Sequence, residues 1–193
     1  GAWLYGGSQL VNREGKPIIK LFHQTSGNCF THVIAGEWFP LQSSLIQAQA
    51  FFKVGGFHPL IPGAEDIDLT RRIALHENLV STEEIIANVV MGEEGSTTDY
   101  LHSQKMSQWA RESILDQPGV FERLHQSAKT SYWQGRIVRA YTTSIYWNLE
   151  RRRFYTAMSR AVSSLRGMAL AWRYLLSPKF WQALIRKHES ENF

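Results

Sequence analysis

The pattern of apolar residues changes near Tyr100, and this change limits the possible fold more than any other feature of the sequence. Before Tyr100, short apolar runs are separated by glycine and proline turns, as is typical of strands and short helices. After it, apolar residues recur every three or four positions, which is the helical period. The sequence therefore predicts an α/β protein with one domain over residues 1–100 and a basic helical tail over residues 101–193.

The amino-acid composition excludes several classes of protein. With 193 residues, 44% of them hydrophobic, the chain can form one substantial core or two small ones. Glycine and proline are not enriched, which excludes disordered and fibrous proteins. The single cysteine, Cys29, excludes a disulfide within the chain and agrees with a reducing compartment. The chain opens at Gly1 without a methionine or a visible signal peptide, and we expect it to be a piece of a longer protein.

Strands and short helices are predicted over residues 1–100. A β-hairpin is expected between Trp3 and Phe22, because apolar residues flank a turn that contains Gly15. A helix is expected from Glu65 to His76, where apolar residues follow the helical period. The other expected elements are a short strand over residues 31–35, a strand and then a short helix over residues 43–52, and strands over residues 79–81 and 85–91.

Three or four helices are predicted in the tail, three of them over residues 131–147, 152–176 and 180–186. The short joint at residues 148–150 favours an antiparallel hairpin of the first two. In the second helix a set of apolar side chains recurs at spacings of three and four, which places them on one face: Phe154, Met158, Val162 or Ala161, Leu165, Met168, Trp172 and Leu175. No run of apolar residues reaches the roughly 18 to 20 that a membrane-spanning helix needs.

The net charge of +4 is unevenly distributed along the chain. Acids outnumber bases up to Ala128, whereas bases dominate from Lys129 onward. Three interpretations of the basic tail are open: a solvated face, a surface that binds an anionic membrane, or a nucleic-acid surface. The last is the least favoured, and we expect no nucleic-acid partner. Four tryptophans suit a membrane interface, because the indole ring is amphipathic: Trp133, Trp147, Trp172 and Trp181.

The segment richest in chemical information joins a glycine pair to a cluster of acids. Residues Val54 to Phe57 read Val-Gly-Gly-Phe, and a loop with two prolines leads from them to Glu65, Asp66 and Asp68 at a predicted helix start. Acids at a helix N-terminus are stabilised by the exposed N–H groups and the helix dipole, by about 0.3 to 1 kcal/mol each. The simplest interpretation of the acids is therefore a helix cap.

The spacing of Asp66 and Asp68 also invites a metal interpretation, which the helix geometry disfavours. Side chains two residues apart in a helix point about 200° apart, so the two carboxylates would not reach one ion. An arginine, at position 71 or 72, is expected to pair with Glu65 or Asp68. Asp66 is then the acid that remains for chemistry.

These motifs resemble the acceptor-side signature of family 2 glycosyltransferases, which have the GT-A fold. The similarity covers residues 36–75 and consists of an apolar segment with serines, the Val-Gly-Gly-Phe turn, and a helix start of the form Glu-Asp-x-Asp-Leu-x-x-Arg: Ser43, Ser44, Leu45, Ile46, Val54 to Phe57, Glu65, Asp66, Asp68, Leu69 and Arg72. The resemblance implies a partial GT-A sheet followed by an α-helical C-terminal region. The family's Asp-x-Asp motif and its nucleotide-binding half would lie upstream of Gly1.

The resemblance also implies an activity, the inverting transfer of a sugar from a nucleotide-sugar donor to a glycan or a lipid-linked acceptor. Asp66 would be the catalytic base. Glu65 is either a substrate-binding residue or a cap, and Trp38 either stacks on a sugar or packs in the core. Ser96 and Thr97 lie in a loop similar to the one that follows the family's last strand. In this loop Glu93 and Glu94 occupy the place of an expected cation.

The resemblance further implies a divalent metal, Mg²⁺ or Mn²⁺, in the full-length enzyme, with its ligands mostly outside this chain and no metal ligand within it. The expected location is cytoplasmic, either free or peripheral on the inner face of the plasma membrane. The alternative function is a non-enzymatic module, in which the helical tail binds a membrane surface or a protein and the first domain is a remnant of the fold.

Overall fold

The computed structural model describes residues 2–22, 25–37, 39–90 and 100–186. Their strands and helices form a mixed α/β structure, which confirms the predicted α/β class. They divide into two compact units, one within residues 1–29 and 38–114 and the other within residues 30–37 and 115–191. These units are groups of residues that contact one another, and they do not by themselves define domains. The predicted domain boundary between residues 100 and 101 therefore stays a prediction.

Strands and short helices alternate in the first half of the chain, and longer helices follow. Over the described residues the strands are β1 (Trp3–Val11), β2 (Pro17–Leu21), β3 (Ser44–Ile46) and β4 (Leu79–Val90). The helices are α1 (Phe30–Ala35), α2 (Ala48–Lys53), α3 (Glu65–His76), α4 (Tyr100–Leu115), α5 (Val120–Ser127), α6 (Ser131–Glu150), α7 (Phe154–Leu170) and α8 (Pro178–Ile185). Short 3-10 turns cover Leu41–Ser43 and Trp172–Tyr174.

β1 is the central strand of the sheet in the first unit. β2 and β3 pair antiparallel with its second and first halves, and β4 runs parallel to it along the other side. The predicted hairpin is confirmed as β1 and β2. In its turn the Asn12 carboxamide oxygen accepts the N–H groups of Glu14 at 3.1 Å and Lys16 at 2.8 Å. Gly15 has a φ of 79°, which favours glycine at this position.

β4 is one continuous strand where the sequence predicts two. Its pairing with β1 shifts register twice between Tyr5 and Ser8, so the polar residues between the predicted strands form an irregularity within the ladder. The predicted strand and short helix over residues 43–52 are confirmed as β3 and α2, and the predicted helix over residues 65–76 is confirmed as α3.

The short strand predicted over residues 31–35 is wrong, because these residues belong to α1. The β-branched side chains favour a strand locally, but the packing of the second unit decides otherwise. The Thr31 hydroxyl donates to the main-chain oxygen of Leu124 at 2.7 Å, and its backbone N–H donates to the Ser127 hydroxyl at 3.0 Å. The Thr31 N–H is thereby used in a buried bond to a side chain, whereas a central strand would have committed it to a ladder.

α6 and α7 form the antiparallel hairpin that the sequence predicts, although the joint lies at residues 151–153 rather than 148–150. Arg160 donates to the Ser144 hydroxyl at 3.2 Å, and the hydroxyls of Thr142 and Ser164 lie 3.3 Å apart. Later residues of α7 therefore contact earlier residues of α6, as in an antiparallel pair. α8 approaches α6 closely at Gly135, where an added Cβ would collide with the Phe180 carbonyl oxygen.

The predicted helix over residues 152–176 ends earlier, at Leu170, and a 3-10 turn follows it. The predicted helix over residues 180–186 is confirmed as α8, which begins two positions earlier because Pro178 suits the first turn of a helix. Among the described residues, no helix combines the length and the apolar character required to cross a bilayer.

His125, on α5, is held in the neutral form by its surroundings. The Gln134 carboxamide donates to the Ala128 carbonyl at 2.7 Å, which turns its oxygen toward Nδ1 of His125 at 3.1 Å and makes that nitrogen the donor. Among the described residues, Nε2 has no hydrogen-bond partner. Burial lowers the pKa of His125, and the positive charge of Arg166 lowers it further.

This arrangement predicts a loss of stability at mildly acidic pH. Because the pKa is lower in the folded chain, the unfolded chain binds the proton more readily as the pH falls through the usual histidine range. The free energy of unfolding is therefore expected to decrease between about pH 7.5 and about pH 5.5, and His125→Asn, which keeps a donor near Nδ1, should flatten that decrease. Urea titrations at both pH values measure it, and equal slopes in the two proteins would contradict the assignment.

Candidate functional site

The Val-Gly-Gly-Phe turn reverses the chain after α2. Gly55 and Gly56 have φ values of 84° and 65°, a left-handed region that glycine adopts without strain. The Gly56 N–H donates to the Phe51 carbonyl at 3.0 Å, and an added Cβ at this glycine would lie 3.1 Å from the Phe51 ring. The Phe57 ring packs edge-on against the same ring at 5.6 Å. The glycine pair therefore sets the direction in which the chain enters the loop before α3.

The loop before α3 is anchored by α4. Ile61 and Ala64 are buried with Ala110, and Trp109 of α4 packs against this cluster. The Ser103 hydroxyl of the same helix donates to the Gly63 carbonyl at 2.6 Å. The start of α3 is consequently held by apolar contacts and by a hydrogen bond to the residue two positions before it.

Asp68 ties α3 to the glycine turn through Arg72. Its carboxylate accepts two hydrogen bonds from the Arg72 guanidinium, at 2.8 and 2.6 Å, and the same guanidinium donates to the Val54 carbonyl at 2.5 Å. The Asp68 side chain is 2% exposed. The predicted arginine pair of the acid cluster is thus confirmed for these two residues, and the Asp68 carboxylate is committed to it.

Arg71 joins α3 to α4. Its guanidinium donates to the Ser107 carbonyl at 2.6 Å and to the Ser107 hydroxyl at 3.2 Å. Burial lowers the pKa of Arg71 to about 9; the positive charge of Arg111 also lowers it, while the carboxylates of Asp68 and Asp66 raise it. The side chain therefore places a buried cation within the electrostatic reach of Asp66.

Asp66 lies in the first turn of α3 and is half-buried. Its Oδ1 accepts the Ile67 N–H at 2.7 Å, one of the amides that a helix start leaves without a partner inside the helix. The Thr70 hydroxyl donates to its main-chain oxygen at 3.0 Å. The cap interpretation of the acids therefore holds in part, because Asp66 satisfies one first-turn amide. It does so from a more open position than Asp68.

Glu65 is the first residue of α3, and its side chain is exposed. The N-cap residue is Ala64, and no side chain caps the helix at that position. The two interpretations of Glu65, as a substrate-binding residue or as a cap, stay predictions.

The other predicted site residues fall on parts of the chain that the structure leaves undescribed. Trp38, Ser96 and Thr97 all lie outside the described residues, as do Glu93 and Glu94. Within residues 2–22, 25–37, 39–90 and 100–186, no group of three or more His, Cys, Asp or Glu side chains is arranged to hold a metal ion. The expected Mg²⁺ or Mn²⁺ of a full-length enzyme would take its ligands mostly from outside this chain, and that expectation stays a prediction.

Sequence reasoning missed the contribution of α4 to this site. Ser103 and Ser107 both bond to the α3 region, and they are four residues apart, on one face of the helix. The spacing of these two serines is the signal that the sequence offers. Their partners, a loop carbonyl and a buried arginine, follow only from the packing of the two helices.

No family model matches this chain, and neither the curated proteins nor the solved structures contain a significant match to it. An assignment of function consequently depends on the motif residues and on their geometry.

Proposed function

We propose that this chain is the acceptor-side part of an inverting glycosyltransferase of the family 2 type, with a partial GT-A sheet and with Asp66 as the catalytic base. One observation carries the proposal: Asp66 is half-buried in the first turn of α3, and the segment around it is held in place. Arg72, which bonds both Asp68 and the Val54 carbonyl in an arrangement we call the Arg72 clamp, holds it on one side, and Ser103 of α4 holds the loop before it. A carboxylate with a fixed backbone and an accessible position is what deprotonation of an acceptor hydroxyl requires.

In the proposed reaction the acceptor hydroxyl oxygen attacks the anomeric carbon of the donor sugar. As the new carbon–oxygen bond forms, the bond from the anomeric carbon to the nucleoside diphosphate breaks, and the diphosphate leaves with the bonding electrons. The hydroxyl proton passes to the carboxylate of Asp66. The Ile67 N–H, 2.7 Å from Oδ1, orients this carboxylate during the transfer.

Two arginines of α3 support Asp66 without being placed in contact with substrate. Arg72 fixes the helix to the glycine turn, so that the acid and the turn move together. The buried charge of Arg71 interacts with the Asp66 carboxylate and ties the start of α3 to α4 through Ser107. Both are positioning residues in this proposal.

The remaining predicted residues complete the proposed site. Glu65 would contact the acceptor or the donor sugar, and Trp38 would stack on a sugar ring. Ser96 and Thr97 would face the diphosphate. A divalent metal would stabilise that leaving group when bound, with ligands that lie mainly upstream of this chain.

The sheet supports the idea that further strands belong beside it. β4 pairs with β1 along one edge. Among the described residues, the other edge of β4 forms an isolated bridge between Leu79 and Gly27, and the Ser81 N–H donates to the Ser26 hydroxyl. Val80 is 43% exposed, Ile86 47% and Val90 61%. A long edge strand with exposed apolar residues is a surface that natural proteins normally cover. We propose that the donor-binding half of the enzyme covers it.

The alternative function, a non-enzymatic module on a remnant of the fold, is favoured by the helical second unit and by the exposed apolar residues of its helix α7. The expected cytoplasmic location at the inner face of the plasma membrane follows from the nucleotide-sugar donor and from the same helix. Both statements belong to the proposal.

An activity screen tests the proposed function. The proposed longer enzyme, which carries this chain together with its donor-binding half, is incubated with a panel of nucleotide sugars, Mg²⁺ or Mn²⁺, and glycan and lipid-linked acceptors. We expect release of nucleoside diphosphate that increases when an acceptor is added. If no combination in the panel releases diphosphate and the protein also binds none of the nucleotide sugars, the non-enzymatic alternative is favoured over the transferase.

A further inference from the structure

The apolar stripe of α7 points away from the second unit. Phe154 is 66% exposed, Met158 63%, Val162 53% and Leu165 66%, and these residues share one side of the helix. The buried residues lie on the opposite side. Three of them are small and the fourth is an arginine: Ala157, Ser164, Gly167 and Arg160. An amphipathic helix on a globular core normally shows the reverse arrangement.

The orientation of α7 is fixed by its inner face. Arg160 donates to the Leu115 carbonyl at 3.0 Å, to the Asp116 carboxylate at 2.5 Å and to the Ser144 hydroxyl at 3.2 Å. Gly167 faces His125 and Val138, and an added Cβ would make ordinary van der Waals contact with them, at 3.5 Å from Nε2 of His125, so the space there suits a side chain no larger than a methyl group. Turning the apolar stripe inward would break these bonds and bury larger side chains in their place, so the outward stripe is part of the folded structure.

Exposed apolar residues continue beyond the end of α7. Trp172 is 63% exposed, Leu176 96% and Ile185 71%. Trp172 lies beneath the Arg173 guanidinium, 5.3 Å from the ring centroid. Aromatic and aliphatic side chains beside arginines are typical of the boundary between lipid headgroups and acyl chains.

Cations lie at both ends of the stripe and along it. Arg151, Arg152 and Arg153 precede α7, Arg166 lies within it and Arg173 follows it, and all five are exposed. Over residues 129–186 the single acidic residue is Glu150. This distribution complements a surface of negative charge. A second copy of the chain would instead bring arginines against arginines, which disfavours self-association through this face.

Arg152 adds a second indication that a cation is required before α7. It closes α6 with a φ of 57°, the left-handed conformation that usually selects glycine. A strained backbone retained at a charged, exposed residue points to a role for the side chain.

We propose that α7 docks on the surface of an anionic lipid bilayer, with Phe154, Met158, Val162 and Leu165 entering the headgroup boundary and the flanking arginines binding anionic headgroups. The helix would lie in the plane of the membrane. This proposal goes beyond the transfer chemistry and does not depend on it, since all of its residues belong to the second unit.

Vesicle flotation of the full chain tests the proposal. The vesicles are phosphatidylcholine alone, or phosphatidylcholine with about one part in three of phosphatidylglycerol, each at low and at high salt. We expect the chain to float with the anionic vesicles at low salt, to be released as salt increases, and to stay behind with the neutral ones. The tryptophan emission of the chain should shift to shorter wavelength on binding, and Trp172→Phe should reduce that shift, because this ring leaves water.

Two variants separate the apolar and the ionic parts of the contact. Leu165→Asp is expected to weaken binding at least about tenfold, since burial of one leucine accounts for a change of that order. Replacing Arg151, Arg152 and Arg153 with glutamine should weaken it about a hundredfold, at roughly fivefold for each charge near the surface. The matched control is Leu45→Asp in β3, because Leu45 is 69% exposed but belongs to the first unit.

Each other outcome overturns the proposal. Absence of flotation by the folded chain, equal flotation with neutral vesicles, or equal effects of the Leu165 and Leu45 variants would all contradict it. Concentration-dependent self-association in light scattering that Leu165→Asp abolishes would assign the face to a second copy instead. Circular dichroism of each variant establishes that the comparison is between folded proteins.

Discussion

Asp66→Asn in the longer enzyme that we propose is expected to lower the rate of sugar transfer by about a hundredfold to ten-thousandfold, the usual contribution of a general base. The fold should be unchanged. Asparagine keeps an oxygen that can accept the Ile67 N–H, and the bond from Thr70 reaches the main chain rather than the side chain. The variant therefore removes the proton acceptor and little else.

The measurement compares turnover and thermal stability in the same preparations. The control is Glu14→Gln, which neutralises an exposed carboxylate in the hairpin turn and should leave both quantities unchanged. Glu65→Gln is informative in a different way: a substrate-binding role predicts a raised KM, whereas a role in the first turn of α3 predicts a small loss of stability alone. Near-normal turnover by Asp66→Asn would contradict the assignment of the base.

Asp68→Ala is expected to destabilise the first unit by about 3 to 5 kcal/mol, the range found when one partner of a buried ion pair is removed. The Arg72 guanidinium would keep the Val54 carbonyl but lose both bonds to the carboxylate. The side chains of Arg72 and Asp68 are 13% and 2% exposed, so water cannot readily replace the lost partner.

An exposed pair in the same chain provides the control. The carboxylate of Glu150 lies 3.6 Å from the Arg151 guanidinium and its side chain is 75% exposed, so Glu150→Ala should cost less than about 1 kcal/mol. The double variant Asp68→Leu with Arg72→Leu should be less unstable than Asp68→Ala, because no buried charge is left without its partner. Hydrogen exchange of α3 amides for Asp68→Ala, and of α6 amides for Glu150→Ala, reports on the unit that carries each variant. Equal losses for Asp68→Ala and Glu150→Ala would show that the clamp contributes little.

Local signals in the sequence predicted the parts of the fold that local interactions determine. The hairpin follows from a turn in which Asn12 and Gly15 satisfy the backbone. α3 follows from its helical period and its acidic first turn. The divergence of Asp66 and Asp68 follows from the helix repeat, since one of them is half-buried and the other is enclosed by Arg72.

Tertiary contacts determine the parts that the sequence did not predict. The segment around Thr31 has β-branched side chains that favour a strand, but in the folded chain it is helix α1 and Thr31 bonds to two residues of α5. The apolar stripe on α7 follows from the spacing of its residues in the sequence, but this spacing does not show which side of the helix meets the core. That choice depends on Arg160 and Gly167, whose partners lie far away in the sequence. The role of Ser107 in holding Arg71 has the same origin.

The role of Asp66 is tested most directly by a structure of the proposed longer enzyme bound to a nucleotide-sugar analogue and an acceptor, which would show the position of the acceptor. We expect the reacting hydroxyl oxygen to lie within roughly 2.6 to 3.2 Å of a carboxylate oxygen of Asp66. An Asp66 side chain directed into solvent, with another group at hydrogen-bond distance from that hydroxyl, would contradict the proposed mechanism.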